Sequence, residues 1–95
     1  MENVRLIFRM HALMRMFERR IGIEDVQKAL ATGETIEDYP EDKPYPTKLI
    51  LGYIGSKPLH VVVAGDDEMG EVIVVTVYEP DSGQWDSTFR RRKRP

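Results

Sequence analysis

Three runs between Lys48 and Glu79 decide what this chain can fold into. KLILGYI (Lys48–Ile54), LHVVVA (Leu59–Ala64) and EVIVVTVYE (Glu71–Glu79) are rich in β-branched and aromatic residues. Turn signals at Gly55-Ser56-Lys57 and Gly65–Gly70 separate them, which predicts an antiparallel meander. The second and third runs are apolar at consecutive positions, so both of their faces need cover. Such strands belong at the centre of a sheet, with helices over at least one side. Upstream, ETIEDY (Glu34–Tyr39) alternates weakly and predicts one more short strand. The segment PEDKPYP (Pro40–Pro46), with three prolines, is a loop between them.

The cover comes from the N-terminal third. In FRMHALMRMFERRI (Phe8–Ile21), Met10, Leu13, Met14 and Phe17 recur at i, i+3, i+4 and i+7, and Ile21 extends the series. That predicts an amphipathic helix with these residues on its core face. Arg19 and Arg20 suit its C-terminal dipole, and Gly22 is expected to permit the turn. A second helix follows over Ile23–Ala31, with Glu24 and Asp25 in its first turn. Ile23, Val26, Ala29 and Leu30 share one face of it, and Gly33 marks its stop. VRLIF (Val4–Phe8) reads as an edge strand leading into the first helix or as that helix's own start. QWDSTFR (Gln84–Arg90) reads as one helical turn that packs Trp85 and Phe89 back on the domain. The expected fold class is α+β, with two N-terminal helices packed on an antiparallel sheet of about four strands. It forms a single domain over residues 1–89 with a basic tail at 90–95.

Charge is segregated along the chain. Residues 1–20 hold five arginines against Glu2 and Glu18, and residues 90–94 read RRRKR, while residues 21–89 hold four lysines against fourteen acidic residues. Basic ends of this kind attract phosphate backbones, and a terminal RRRKR run also serves as a plain solubilising tail. The absence of cysteine excludes disulfides and thiolate metal sites, and two well-separated histidines make no ligand set of known spacing. No metal or cofactor is therefore expected. No phosphate-cradling glycine motif and no nucleophilic Ser or Cys elbow is present. Nothing reads as a membrane span or a targeting segment, so a cytoplasmic location is expected.

HALMRMFERRIGIEDVQKAL, GETIEDYPEDKPYP, LGYIGSKPLHVVVA and TVYEPDSGQWDSTFRRR together resemble the small prokaryotic family catalogued as domain of unknown function 4258, over about Phe8 to Arg92. The most specific pieces are His11-Ala12, the strand Pro58–Val62, and Thr76, Tyr78, Pro80 and Trp85. The resemblance implies a ribonuclease fold of the barnase/RelE kind. It also implies a RelE- or MqsR-like toxin of a type II toxin–antitoxin system, acting on RNA and paired with a cognate antitoxin, often of zinc-finger type.

Metal-free RNA cleavage requires a base for the 2′-hydroxyl, a cation for the charge at phosphorus and an acid for the leaving oxygen. His11, Arg15 and Glu18 recur at i, i+4 and i+7, within about 60° of one another on the first helix. His11 and Arg15 thus offer an imidazole and a guanidinium side by side. The same stripe is also what an ordinary solvated helix face looks like. His60, Thr76 and Tyr78 lie on the two central strands and complete the candidate catalytic set if the helix packs across that face. Tyr53 and Trp85 are candidates to stack on bases, and Arg19, Lys48, Arg90 and Arg91 to meet phosphates. The expected function is an mRNA-cleaving toxin. The alternative is a non-enzymatic module in which the basic tail binds nucleic acid or an acidic partner.

Overall fold

The computed structural model of the chain describes residues 5–66 and 70–93. Val4, the middle of the Gly65–Gly70 turn and Arg94–Pro95 lie outside the described residues. The elements are β1 (Arg5–Phe8), α1 (Met10–Glu18), α2 (Ile23–Ala31), β2 (Glu34–Tyr39), β3 (Thr47–Ile54), β4 (Lys57–Asp66) and β5 (Glu71–Tyr78). They build an α+β fold in which one five-stranded sheet has the order β1-β5-β4-β3-β2.

Strands β2 to β5 form the expected antiparallel meander, with β3 and β4 joined by the tight Gly55-Ser56 turn. The sheet is nonetheless mixed and has five strands, not about four antiparallel ones, because β1 joins β5 in parallel. A meander leaves β5 with an open outer edge. β1 occupies that edge and packs Leu6 and Phe8 against the core, while the Arg5 and Arg9 N–H groups donate to the Gly70 and Val74 carbonyls.

Both helices lie on one face of the sheet, α1 over β5 and α2 over β3. The core between them holds Ala12, Met16, Ile21, Val26, Ala29 and Leu30 against Ile50, Leu59, Val61, Val63, Val72, Val74 and Val77. The spacing in β5 changes from two to three residues because a bulge, where the register with Val62 and Val63 shifts, inserts Val75. α2 approaches β3 so closely that a Cβ at Gly52 would overlap the Ala29 carbonyl.

α1 differs from expectation in its rotation. Ala12 and Met16 face the sheet, whereas Met10 is 71% exposed, Met14 56% and Phe17 86%, with Leu13 at the rim. The link from β1 to α1 is the single residue Arg9, in extended conformation. With Phe8 held against the core, so short a link fixes the helix's phase, and the register of β1 overrides the larger apolar stripe. The α1–α2 turn is also made differently. Arg20 takes the left-handed conformation (φ 58°) while the Ile21 N–H donates to the Met16 carbonyl. Gly22 is extended and starts α2, its N–H donating to the Asp25 carboxylate at 2.9 Å. On α2, Val26, Ala29 and Leu30 are buried as expected, while Ile23 is exposed.

Candidate functional site

The face of the sheet away from the helices carries the second parity of each strand: Leu49, Leu51 and Tyr53 on β3, His60 and Val62 on β4, and Thr76 and Tyr78 on β5. Leu51, His60 and Tyr78 lie in one cross-strand row, and Glu37, Leu49, Val62 and Thr76 in the next. Among the described residues, no helix covers this back face. After β5 the buried Pro80 ends the strand, and a non-helical clasp folds over the row that contains His60.

Local hydrogen bonds shape the clasp. The Asp81 carbonyl accepts the Gln84 and Trp85 N–H groups, and the Asp86 carboxylate accepts the Thr88 N–H at 3.0 Å and its hydroxyl at 2.7 Å. Asp86 and Lys93 donate their backbone N–H groups to the Arg91 and Gln84 carbonyls, so Trp85 and Arg92 form an antiparallel bridge. Arg90–Lys93 are thereby folded back on the domain. The helical turn expected over Gln84–Arg90 is absent because these side-chain and bridge bonds take the backbone groups a helix would use.

Trp85 is buried edge-to-face against His60, with centroids 4.4 Å apart, and the Arg92 guanidinium lies 4.7 Å above the indole. His60 is fully buried. Its Nε2 lies 2.8 Å from the Phe89 carbonyl, which can only accept, so Nε2 carries the proton. Nδ1 then accepts from the Tyr78 hydroxyl at 3.3 Å. Phe89 takes a left-handed φ of 59°, a conformation that strains a residue bearing a Cβ and aims its carbonyl at the ring. Burial holds the His60 pKa below its ordinary value, against the opposing pull of the Phe89 carbonyl and with help from the Arg92 charge. Burial likewise raises the Tyr78 pKa, with Arg92 acting to lower it and Glu37 to raise it. Hydrogen bonds from Thr88, the largest cause, hold the Asp86 carboxyl below the usual range. Arg90 closes the edge of the clasp by donating Nε–H to Glu34 at 2.7 Å.

The predicted catalytic residues divide between two surfaces. His60, Thr76 and Tyr78 come together on the back face. His11 and Arg15, with Glu18, are exposed on α1, whose buried stripe of Ala12 and Met16 rests on the opposite face. The sheet stands between the two sets, so His11 and Arg15 do not open onto the surface His60 occupies. The cause is the strand parity of His60, which points it to the face that α1 does not cover. His60 itself offers no open nitrogen. Of the predicted nucleic-acid contacts, Arg19 is exposed beyond the end of α1, and Lys48 shares the parity of Ile50 and Gly52 on the helix side. Tyr53 is partly exposed on the back face, Arg91 is exposed, and Arg90 is paired. Trp85, at 2% exposure, has no free ring face on which a base could stack.

Sequence reasoning missed three groups here. Arg92 carries no local mark that separates it from its neighbours in RRRKR. Glu37 gains its place from the pairing of β2 with β3. The Phe89 carbonyl is a backbone group, and no side-chain pattern announces it. The pieces Pro58–Val62, Thr76–Pro80 and Trp85 do meet in one place, around His60. Among the described residues no cluster of three or more His, Asp or Glu is arranged to hold a metal ion, and no helix is long and apolar enough to cross a membrane.

No curated protein and no solved structure matches the chain. A family model, "Domain of unknown function (DUF4258)", matches residues 8–79, which takes in both helices and strands β2 to β5 and stops before the clasp. The chain, over both helices and all the strands of its meander, belongs to the DUF4258 family.

Proposed function

We propose that the protein is an RNA-directed module of toxin type, related in plan to the RelE and barnase ribonucleases, and that RNA meets it on the back face of the sheet. One observation supports this reading: Pro58–Val62, Thr76–Pro80 and Trp85 converge on His60 and leave Tyr78, Arg92 and Glu37 around the uncovered part of that face.

The chemistry assigned to them is acid–base cleavage without a metal. Stacking on Trp85 fixes the Arg92 guanidinium while Arg92 stays exposed, so its N–H groups can pair with a phosphate. Tyr78, its pKa raised by burial, keeps its proton at neutral pH and, once its hydroxyl turns from His60 Nδ1, serves as donor to the leaving oxygen. Glu37, half-buried in the row with Thr76 and close enough for its charge to act on Tyr78, is the carboxylate able to take the 2′-hydroxyl proton. His60 is a positioning residue that holds the Tyr78 hydroxyl and the clasp. The resemblance extends the proposal to a cytoplasmic toxin held by a cognate antitoxin of zinc-finger type, encoded beside it.

A second reading, RNA binding without cleavage, is favoured by the full burial of the one histidine on this face and by the exposed Arg91 and Lys93. One assay separates the two. The purified chain is incubated with RNA in EDTA, beside Glu37→Gln, Tyr78→Phe and His11→Ala variants. The nuclease reading expects cleavage that falls about 100-fold in the first two variants and persists in the third. Salt-dependent binding without cleavage, weakened by Arg91→Ala with Lys93→Ala, leaves the second reading standing. Neither cleavage nor binding removes RNA from the proposal altogether.

A further inference from the structure

The clasp over residues 81–93 is a thin cover. Trp85 is its one buried residue, Asp86 and Phe89 are half-buried, and the rest are exposed. It is tied to the sheet through the indole against His60, the Phe89 carbonyl on Nε2 and the Arg90–Glu34 ion pair at its edge. The sheet beneath is built differently. Strand β4, which carries His60, is paired along both edges, with β3 and with β5. A disturbance of the His60 contacts therefore acts on the clasp before it acts on the sheet.

Those contacts fit one state of the ring. Nε2–H donates to a carbonyl and Nδ1 accepts from the Tyr78 hydroxyl, so both nitrogens are occupied while the ring is neutral. A second proton, on Nδ1, reverses that bond and places a full charge where the residue has 0% exposure. No counter-charge meets it. Tyr78 faces the ring from β5 and Arg92 from the clasp, while β3 presents Leu51. The Arg92 guanidinium, stacked on the indole that abuts the ring, repels an imidazolium. Among the described residues no carboxylate lies within ion-pair distance of His60. Glu37 acts on Tyr78, Glu34 is paired with Arg90, and Asp86 is bonded to Thr88. The clasp supplies the indole, the carbonyl and the guanidinium around the ring, so its withdrawal admits water to the charge. Withdrawal also lets Phe89 leave its left-handed φ of 59°.

From this geometry we infer that His60 is a proton-operated latch: one proton taken up by the ring releases the clasp from the back face while the sheet and both helices stay folded. The depressed pKa of the buried ring has the matching sign. The closed clasp resists the proton, the open one takes it up as an ordinary imidazole, and acid therefore favours the open form. Release also carries Arg92 off the back face. The inference does not depend on RNA being what binds there.

Trp85 is the chain's single tryptophan, so its fluorescence reports the clasp alone. Emission, acrylamide quenching and far-UV circular dichroism are followed on the full chain from about pH 7 to about pH 4.5, the range through which an ordinary imidazole charges. Emission should shift to the red and quenching rise several-fold as the indole enters water, with the dichroism unchanged. Amide exchange should lose protection at the Trp85, Asp86 and Lys93 N–H groups, which close the clasp, and keep it along β3 to β5. In His60→Gln, whose amide can still donate to the Phe89 carbonyl but takes up no proton, the transition should be lost. If that variant is already open at neutral pH, wild-type NMR decides: the His60 ring and Trp85 indole resonances should titrate with one midpoint, below 6.5. Constant Trp85 emission over the range, a red shift that coincides with loss of dichroism, an acid transition that persists in His60→Gln, or separate NMR midpoints each overturns the inference.

Discussion

α1 and the C-terminal clasp each carry a large aromatic residue among arginines, yet Trp85 is 2% exposed and Phe17 86%. Trp85 has its partners built into the chain: the edge of His60 on one side, the Arg92 guanidinium on the other, and a backbone bridge that fixes both. Phe17 belongs to a stripe with the sequence pattern of a core face and has no such partners. The contrast shows that amphipathic spacing selects a stripe fit to be buried, while chain connectivity decides whether the burial happens within the molecule. The first region buries its aromatic within the chain, and the second leaves its apolar stripe exposed.

The sharpest way to break this comparison is to truncate both aromatics. Trp85→Ala should cost about 3–5 kcal/mol in urea unfolding, since it empties the largest buried side chain and unseats Arg92 and the clasp. A loss below about 1 kcal/mol would mean that the clasp rests on the sheet without holding it.

His60→Leu probes the same region through its polar contacts and ranks next. It leaves the Phe89 carbonyl and the Tyr78 hydroxyl without their partner and should cost about 2–3 kcal/mol. The wild-type histidine also gives the clasp a pH signature. Its folded pKa lies below the unfolded value of 6.5, so as pH falls through 6.5 the unfolded chain takes up a proton that the folded chain refuses. This contribution is complete above about pH 6.5 and declines below it toward the depressed folded pKa, by at most about 1.4 kcal/mol per pH unit for one proton. The Tyr78 hydroxyl facing the ring has its pKa raised further from this window, so the slope between pH 7 and 5.5 should vanish in His60→Leu. A slope that survives the substitution assigns the acid sensitivity elsewhere.

What was legible in the sequence follows the range of the forces involved. The meander, its Gly55 turn and the second helix are set by local pattern and turn chemistry, and they stand where expected. The pairing of β1 with β5 joins opposite ends of the chain, and VRLIF contains nothing that chooses a parallel edge over a helix start. The rotation of α1 depends on one linking residue, Arg9, so periodicity marked the correct helix and the wrong stripe. Of the candidate site, Thr76 and Tyr78 on one face was readable from strand alternation, as was His60 on a neighbouring central strand. That His60 would be sealed by a carbonyl from Phe89 was not, since the acceptor is backbone and its aim comes from a left-handed residue inside a loop.

The smallest expected effect carries the other half of the comparison. Phe17→Ala removes more side chain than truncation of any aliphatic core residue, but the ring is already in water. The folded state therefore loses little contact, and alanine's better helix propensity offsets part of what it does lose. Unfolding free energy should move by no more than about 0.5 kcal/mol in either direction, and the midpoint should not depend on protein concentration. A cost near that of Trp85→Ala at every concentration would mean that α1 is seated within the chain. A cost that grows with concentration would mean that a second copy covers the stripe. A flat response leaves Phe17 in water, its apolar surface unmatched within the chain.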